Sequence, residues 1–265
     1  MLLIGYPDWG TAGDHAPEIL QTGPIALEGF DIRVLENLKR KDEDPPGRRL
    51  LPEGRLKLLA EFGGETQGEA TARAHAALGE LKRGSDKADM RAFSDPADQR
   101  AIWIIREADL GASRLPGKED TWPSWEDTAV SVEKLGAYLR DFQKLINRYQ
   151  YRCTLYGHFG QGCVHTRFNF DLKSEPGVAK FRRFMQDGAD LVSAYGGSLS
   201  GEHGDGQLKA ELLDRMYGPD LLQAFRDFKA IWDPDWKLNP GKVVDPYPLD
   251  DNLRTGPDYQ PLAGC

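Results

Sequence analysis

Two glycine-rich segments carry three of the five histidines of the chain. The first, YGHFGQGCVHTRFNFD at residues 156–171, contains His158 and His165, and the second, GGSLSGEHGDGQ at 196–207, contains Glu202 and His203. Neutral imidazole is a common nitrogen ligand of metal ions, and it also exchanges a proton near neutral pH. The two segments therefore indicate a metal centre, proton-transfer chemistry, or both.

The spacing in the first segment needs a bend in the chain. His158 and His165 are an odd number of residues apart, so a regular strand would point them to opposite faces. Gly160 and Gly162 lie between them and accept the tight bend that would bring both imidazoles to one metal ion. The alternative is a glycine-rich hairpin whose histidines only form hydrogen bonds. Cys163 could be a third ligand or a buried, inert thiol.

The second segment places an acid beside an imidazole. Glu202 and His203 are neighbours and point in different directions, so one could bind a metal while the other acts as a base. A phosphate-binding loop is excluded, because no Lys-Ser/Thr pair follows and the dinucleotide fingerprint is also missing. The alternative is a turn in which Asp205 caps the following helix.

Composition sets the protein class. The chain has 265 residues, 40% of them hydrophobic and 29% charged, which predicts a soluble globular protein. Its net charge of −8 argues against nucleic acid as the main partner. Cys153, Cys163 and Cys265 form no disulfide framework or zinc-knuckle pattern, so a reducing compartment is expected. The sequence contains no membrane-spanning run and no signal peptide, and its abrupt start in an apolar strand indicates an excised piece of a longer protein.

Helix and strand signals alternate along the chain without the long Val/Ile runs of buried parallel strands. Strands are predicted at 2–8, 23–31, 55–64, 90–95, 126–132, 153–159 and 164–171. Helices are predicted at 14–20 with Asp14 as N-cap, at 32–41, 69–83, 96–112, 133–149 and 174–196, and twice between 208 and 234. The predicted fold class is α+β, a mostly antiparallel sheet with helices packed against it.

The two histidine segments, together with AFRDFKAIWDPDWKLNPGKVVDP at 224–246, resemble the C-terminal domain of FAD-linked oxidases in the vanillyl-alcohol-oxidase-like superfamily. PIALEG, AEFGG, IWIIREADLGAS and WEDTAV extend the resemblance across almost the whole chain, which looks most like large bacterial proteins that fuse this domain to an iron–sulfur domain. The resemblance implies an FAD-linked oxidase C-terminal domain with ferredoxin-like elements at residues 1–248 and an extended tail at 249–265.

The resemblance also implies a role for each site residue. A divalent metal, zinc or manganese, would be bound by His158, His165 and Glu202, with His203 as the catalytic base. Arg106 would bind the substrate carboxylate, and Asn239 and Lys242 lie in a segment that approaches the flavin in relatives. Arg167 is a second candidate for substrate binding, because it alternates with His165 on one strand face. The alternative for Arg106 is a salt bridge with Glu107 or Asp109.

The function implied is that of the substrate-binding domain of an FAD-dependent oxidoreductase, which oxidises a small 2-hydroxy acid of the D-lactate, glycolate or D-2-hydroxyglutarate type by hydride transfer to flavin. The FAD-binding domain is absent from this sequence, so FAD would be held largely by that partner domain, with an iron–sulfur domain as a further partner and the fragment inactive alone. The expected location is cytoplasmic, peripheral to the inner membrane through electron-transfer partners.

Two features depart from the family pattern. The first histidine segment reads Gly-Gln-Gly-Cys where many relatives read Gly-Asp-Gly-Asn, and Lys209 stands where relatives often carry Arg. Two other functions remain open. One is a flavin-independent metallohydrolase that uses His158, His165 and Glu202 with His203 as base, and the other is a non-catalytic interaction module.

Overall fold

The computed structural model describes residues 1–39, 44–84, 88–108 and 121–257. Its strands are β1 (Leu2–Tyr6), β2 (Ala26–Asp31), β3 (Leu56–Glu61), β4 (Asp89–Ala92), β5 (Thr128–Ala129), β6 (Cys153–His158) and β7 (Cys163–Phe168). They form one sheet in the order β4-β1-β3-β2-β6-β7-β5, with each neighbouring pair antiparallel. The predicted α+β class with an antiparallel sheet is confirmed.

Seven helices are present in the described part of the chain. They are α1 (Trp9–Gln21), α2 (Arg33–Lys39), α3 (Gln67–Leu81), α4 (Pro96–Glu107), α5 (Leu135–Arg148), α6 (Glu175–Ala194) and α7 (Pro219–Trp232). Short 3-10 turns occupy Pro46–Leu50, Val132–Lys134, Phe159–Gln161 and Ala210–Arg215. The predicted ends of the helices at 32–41 and 96–112, Cys265 and the tail beyond residue 257 lie outside the described residues. None of the described helices combines the length and apolarity needed to cross a bilayer.

Side chains alternate along the strands, so the two faces of the sheet pack against different layers. Leu2 and Ile4 belong to the larger core cluster, which includes residues of α1, α5 and α6. Leu3 lies in a smaller cluster on the other face, with residues of α2 and α4 and with Tyr156 of β6. The histidines described below share this second face with Tyr156.

Helix α1 begins earlier than the sequence predicts. The side chain of Asp8, not Asp14, caps it by accepting a hydrogen bond from the backbone N–H of Thr11 at 2.8 Å. Asp14 lies inside the helix, where its carboxylate pairs with Arg140 of α5 at 2.6 Å. The sequence-based start is wrong because Asp8 is an equally good cap that comes six residues earlier.

The last described segment returns to the body of the protein. Leu249 is buried, and its backbone N–H donates to Oε2 of Glu211 at 2.7 Å. Arg182 of α6 forms ion pairs with both Glu211 and Asp250. The chain around residue 249 is therefore held against α6 and the 3-10 turn at Ala210–Arg215.

Candidate active site

The hairpin of β6 and β7 brings the first two histidines together. His158 ends β6, and His165 lies in β7 opposite Tyr156. The turn between them closes at Gly162, whose φ of +68° lies in the left-handed region. A Cβ at this position would lie 1.9 Å from the carbonyl oxygen of Val130, so the turn requires glycine. The bend puts both imidazoles on one face, with ring centroids 5.3 Å apart.

Asp127 positions the second histidine segment. Its Oδ2 accepts hydrogen bonds from the backbone N–H groups of Glu202 at 3.1 Å and His203 at 2.8 Å, and from the hydroxyl of Ser200 at 2.5 Å. Its Oδ1 accepts from Nζ of Lys209 at 2.6 Å. Burial opposes ionisation, but the hydrogen bonds from Lys209 and Ser200 outweigh it and lower the pKa of Asp127. A buried ion pair therefore holds the loop.

The strand predicted at 126–132 is shortened to Thr128–Ala129 at this point. Asp127 adopts a left-handed φ of +54°, which breaks the extended conformation before β5. The turn capped by Asp205 is not formed, because the 3-10 turn that follows has no side-chain cap and Oδ1 of Asp205 is buried without a hydrogen-bond partner.

The carboxylate of Glu202 lies at the centre of the three imidazoles. Its Oε1 is 3.4 Å from Nε2 of His158, and its Oε2 is 3.5 Å from Nε2 of His165 and 3.6 Å from Nε2 of His203. Ligands bound at about 2.0–2.2 Å in a tetrahedral site are separated by about 3.4 Å. His158, His165 and Glu202 thus have the spacing of a metal-ligand set, with all their ligand atoms within 4.8 Å of one another.

The two hairpin histidines have different electrostatic environments. Burial, with a smaller contribution from the charges of His158 and His203, lowers the pKa of His165 to about 4. Its imidazole is therefore neutral at neutral pH, as a metal ligand must be. The hydrogen bond between Nδ1 of His158 and Oε1 of Glu28, 2.7 Å long, raises the pKa of His158.

Glu28 also accounts for the position of Arg106. Nη2 of Arg106 donates to Oε2 of Glu28 at 2.8 Å, and its guanidinium lies 4.5 Å from the ring centroid of Tyr156. The side chains of this pair are only 10% and 9% exposed. Of the two partners expected in the alternative for Arg106, Glu107 is wrong, because Arg106 pairs with Glu28 of β2 and Glu107 pairs with Arg100 at 3.6 Å. The other expected partner, Asp109, lies outside the described residues.

Arg167 lies on the site face of β7, two residues after His165 and opposite Thr154. Its Nε is buried without a hydrogen-bond partner. Among the described residues, no carboxylate forms an ion pair with it. Within that part of the chain, Arg167 is therefore an uncompensated cation on the strand face that carries His165.

Cys163 belongs to neither group of described residues whose ligand atoms lie within 4.8 Å of one another. It is buried, and burial together with the charges of Glu202 and Asp127 raises the pKa of its thiol to about 12. The hydrogen bond between Cys163 and Glu202 acts in the same direction. The neutral thiol is therefore a hydrogen-bond partner of the carboxylate of Glu202.

The structure places Lys242 beside the second histidine segment, whereas Asn239 lies three residues earlier in the chain. Asn239 is exposed with a left-handed φ of +49°, and Nζ of Lys242 donates to Oε1 of Gln207 at 2.5 Å. The backbone N–H of Val243 bonds to the carbonyl of Gly206 at 3.2 Å. No contact of either residue with the three imidazoles is present in the described part of the chain.

Two carboxylates of the site were not predicted. Glu28 binds His158 and Arg106, and Glu126 has Oε1 3.4 Å from Nδ1 of His203 and Oε2 4.0 Å from Nδ1 of His165. Both lie far from the histidine segments in sequence. The one available signal was an acidic residue inside an apolar strand, IALEGF, since a buried carboxylate needs a partner.

Comparison with known proteins shows the family of the chain. Residues 1–243 match the family model described as FAD linked oxidases, C-terminal domain. The chain is 27% identical to the D-2-hydroxyglutarate dehydrogenase of Haemophilus influenzae, over 96% of this chain and 26% of that protein. It is 29% identical to the D-lactate dehydrogenase of Archaeoglobus fulgidus, over 92% of this chain and 51% of that one.

A solved structure has a similar fold. The 4-ethylphenol oxidase of Gulosibacter chungangensis superposes with a TM-score of 0.51 at 13% identity, over 92% of this chain and 53% of that one. The chain spans about a quarter of the length of the D-2-hydroxyglutarate dehydrogenase from Haemophilus influenzae. The resemblance predicted from the sequence is confirmed, and the chain belongs to the family of FAD linked oxidases, C-terminal domain.

Proposed function

We propose that residues 1–248 form the substrate domain of an FAD-dependent enzyme that oxidises a small 2-hydroxy acid, followed by a tail at 249–265. A separate FAD-binding domain would hold most of the FAD, which when bound would supply the hydride acceptor for the carbon that carries the hydroxyl group. The domain described here would bind the acid, orient that carbon and take up the hydroxyl proton. An iron–sulfur domain would carry the electrons onward.

His158, His165 and Glu202 would hold a divalent metal. Two imidazoles and one carboxylate suit zinc or manganese. When bound, the metal would supply a Lewis acid that lowers the pKa of the substrate hydroxyl. Glu28 would keep Nδ1 of His158 occupied, so that Nε2 faces the centre.

His203 would take the hydroxyl proton. Its side chain is 50% exposed, and its Nε2 lies 3.6 Å from the carboxylate of Glu202, so it stands on the open side of the cluster. A base in this position can reach an oxygen held by the neighbouring ligand set. The backbone hydrogen bond to Asp127 fixes its place in the loop.

Arg167 would bind the carboxylate of the acid. The charge of Arg106 is already compensated by Glu28, whereas Arg167 has no carboxylate partner among the described residues. A guanidinium binds a carboxylate through two parallel hydrogen bonds, which would orient the neighbouring carbon. Arg106 would instead keep Glu28 and Tyr156 in place. D-Lactate, glycolate and D-2-hydroxyglutarate all carry the required carboxylate.

The observation that carries the proposal is the approach of three Nε2 atoms to one carboxylate, Glu202. The test uses the full-length protein, its E202Q variant and, as a control, an E133Q variant that changes an exposed glutamate. One of the three acids should reduce the flavin of the wild type and of E133Q. E202Q should lose both bound metal and flavin reduction.

The same samples separate the competing functions. Metal-dependent hydrolysis of esters or amides by this chain without flavin would instead establish the metallohydrolase. Absence of both metal binding and flavin reduction in the wild-type protein would overturn the proposal and leave a non-catalytic interaction module.

A further inference from the structure

Each imidazole of the cluster faces two different carboxylates. Nε2 of His165 and of His203 points to Glu202, at 3.5 and 3.6 Å. Nδ1 of the same two rings points to Glu126, with Oε2 4.0 Å from His165 and Oε1 3.4 Å from His203. The two rings are stacked at an interplanar angle of 27°, and the Nδ1 atoms of both face the carboxylate of Glu126.

Nδ1 of His165 lacks a hydrogen-bond partner. The residue is only 3% exposed, and this nitrogen is buried without a hydrogen-bond partner. A buried polar atom left unpaired costs about 1–3 kcal/mol. The nearest carboxylate oxygen is that of Glu126, and a movement of its side chain by about 1 Å would bring the two atoms into hydrogen-bond range.

Asp127 is the other carboxylate near His203, with Oδ2 4.0 Å from Nδ1. That oxygen already accepts from Ser200 and from the backbone of Glu202 and His203. The carboxylate of Glu126 forms no ion pair with a lysine or arginine of the described residues. It is therefore the acceptor available to both rings.

The backbone holds Glu126 in place for this role. Its carbonyl oxygen accepts a hydrogen bond from Nζ of Lys209, the lysine that also binds Asp127. Trp125, which precedes it, is fully buried. The carboxylate is 23% exposed and needs to adjust only through its own side-chain torsions.

We infer that Glu126 is a positioning residue that accepts the Nδ1 hydrogens of both His165 and His203. One carboxylate would thus set the tautomer of a metal ligand and of the base, leaving Nε2 of each ring free toward Glu202. Carboxylates that accept from metal-bound histidines fix the ring in this way, and a carboxylate behind a catalytic histidine does the same for a base. The roles of the two histidines rest on the proposed function, whereas the hydrogen bonds themselves do not.

The first test measures tautomers in this chain without metal, flavin or substrate. Long-range proton–nitrogen correlation spectra of histidine-labelled protein at mildly alkaline pH distinguish the Nδ1–H form from the Nε2–H form. Both rings should be in the Nδ1–H form in the wild type and in E133A, and should shift toward a mixture in E126A. Nε2–H rings in the wild type, or unchanged tautomers in E126A, would overturn the inference.

The second test measures zinc affinity by titration of the same proteins. Loss of an acceptor behind a metal-bound histidine typically weakens binding about 10- to 100-fold, so E126A should bind one zinc ion with an affinity lower by that factor. If the wild type binds two zinc ions and E126A binds one, Glu126 is a ligand of a second zinc site. That result would overturn its role as a positioning residue. Wild type that binds no zinc would contradict the proposed metal centre, while the tautomer result would still decide the role of Glu126.

A second variant, with a side chain of the same size as glutamate, provides the test if E126A does not fold. E126Q keeps one oxygen that can accept a hydrogen bond, so it should retain the Nδ1–H form of one ring and lose that of the other. Retention of both forms would show that the second oxygen of Glu126 is not used, which contradicts donation by both rings to separate oxygens of Glu126.

Discussion

The three histidines of the cluster all direct Nε2 at the carboxylate of Glu202, but they differ in burial and in their other partners. The side chain of His165 is 4% exposed and neutral, that of His158 is hydrogen-bonded to Glu28, and that of His203 is half exposed at the opening of the cluster. A ligand benefits from burial and a fixed tautomer, whereas a base must reach the substrate. The division of roles proposed above follows from exposure more than from distance, since all three Nε2 atoms lie within 3.6 Å of Glu202.

His203 provides the most direct prediction at this scale. In the full-length enzyme, H203N keeps the approximate shape of the side chain and removes the base, so flavin reduction should slow by about 10²–10⁴-fold. Metal content, measured by elemental analysis, should not change. Flavin reduction at the wild-type rate would exclude His203 as the base, and loss of metal would make it a ligand.

The two arginines should respond in opposite ways. R167A should raise KM for the acid with little effect on thermal unfolding, because it removes a cation that has no carboxylate partner in the described structure. R106A should lower the free energy of unfolding by up to about 3–5 kcal/mol, because it removes the cation that compensates the buried carboxylate of Glu28 and leaves His158 as its remaining partner. Steady-state kinetics and denaturant unfolding of both variants check this. A large stability loss in R167A, or none in R106A, would reverse the assignment.

Among the elements, the β6–β7 hairpin depends on a single glycine in its turn, Gly162. G162A should destabilise the chain by more than the about 1–3 kcal/mol expected for a left-handed non-glycine residue, since its Cβ would also meet the carbonyl of Val130. Gly23 is the matched control, with a φ of +76° and no atom within 4 Å of the position that a Cβ would take. Thermal unfolding of G162A and G23A should therefore differ, and equal losses of stability would show that the contact is relieved by movement of β5.

Strand β3 contains an ionisable group away from the site. Lys57 is fully buried, and burial lowers its pKa to about 8 from 10.5. Between these two values the unfolded chain binds a proton that the folded chain does not, so the free energy of unfolding should rise with pH. Relative to K57M, the free energy of unfolding should increase by at most about 1.4 kcal/mol per pH unit. Denaturant unfolding of the wild type and K57M from pH 8 to 10 measures this increase. The same dependence of unfolding free energy on pH in both proteins would contradict the lowered pKa of Lys57.

Patterns along the chain predicted the elements well but not the contacts between them. Alternation and glycine spacing identified β6, β7 and the bend at Gly162, because these are properties of consecutive residues. Glu28 and Glu126 reach the histidines only because β2 pairs with β6 and because Lys209 and Asp127 anchor the loop. Such contacts join residues far apart in sequence, and no local pattern encodes them.

At the scale of the whole molecule, helix α7 lacks the packing that the other long helices have. None of its residues is buried, and Phe228, Ile231 and Trp232 are 66%, 72% and 73% exposed. Leu238, just after the helix, is 65% exposed. Contiguous apolar surface of this kind marks an interaction site in a folded protein. We propose that the FAD-binding domain covers it, because Asn239 and Lys242 follow this helix in the sequence and the family resemblance implies that their segment approaches the flavin.

This proposal predicts a difference between the chain described here and the full-length enzyme. Backbone amides of α7 should exchange hydrogen more slowly in the full-length enzyme, because the docked domain suppresses local opening. The double variant F228S/W232S should release FAD more readily, since it removes apolar area from the contact. I25S is the matched control, because Ile25 is 68% exposed in the turn before β2, away from α7 in the sequence. Equal exchange of α7 in both proteins, together with unchanged FAD retention in the double variant, would place the FAD-binding domain on another surface.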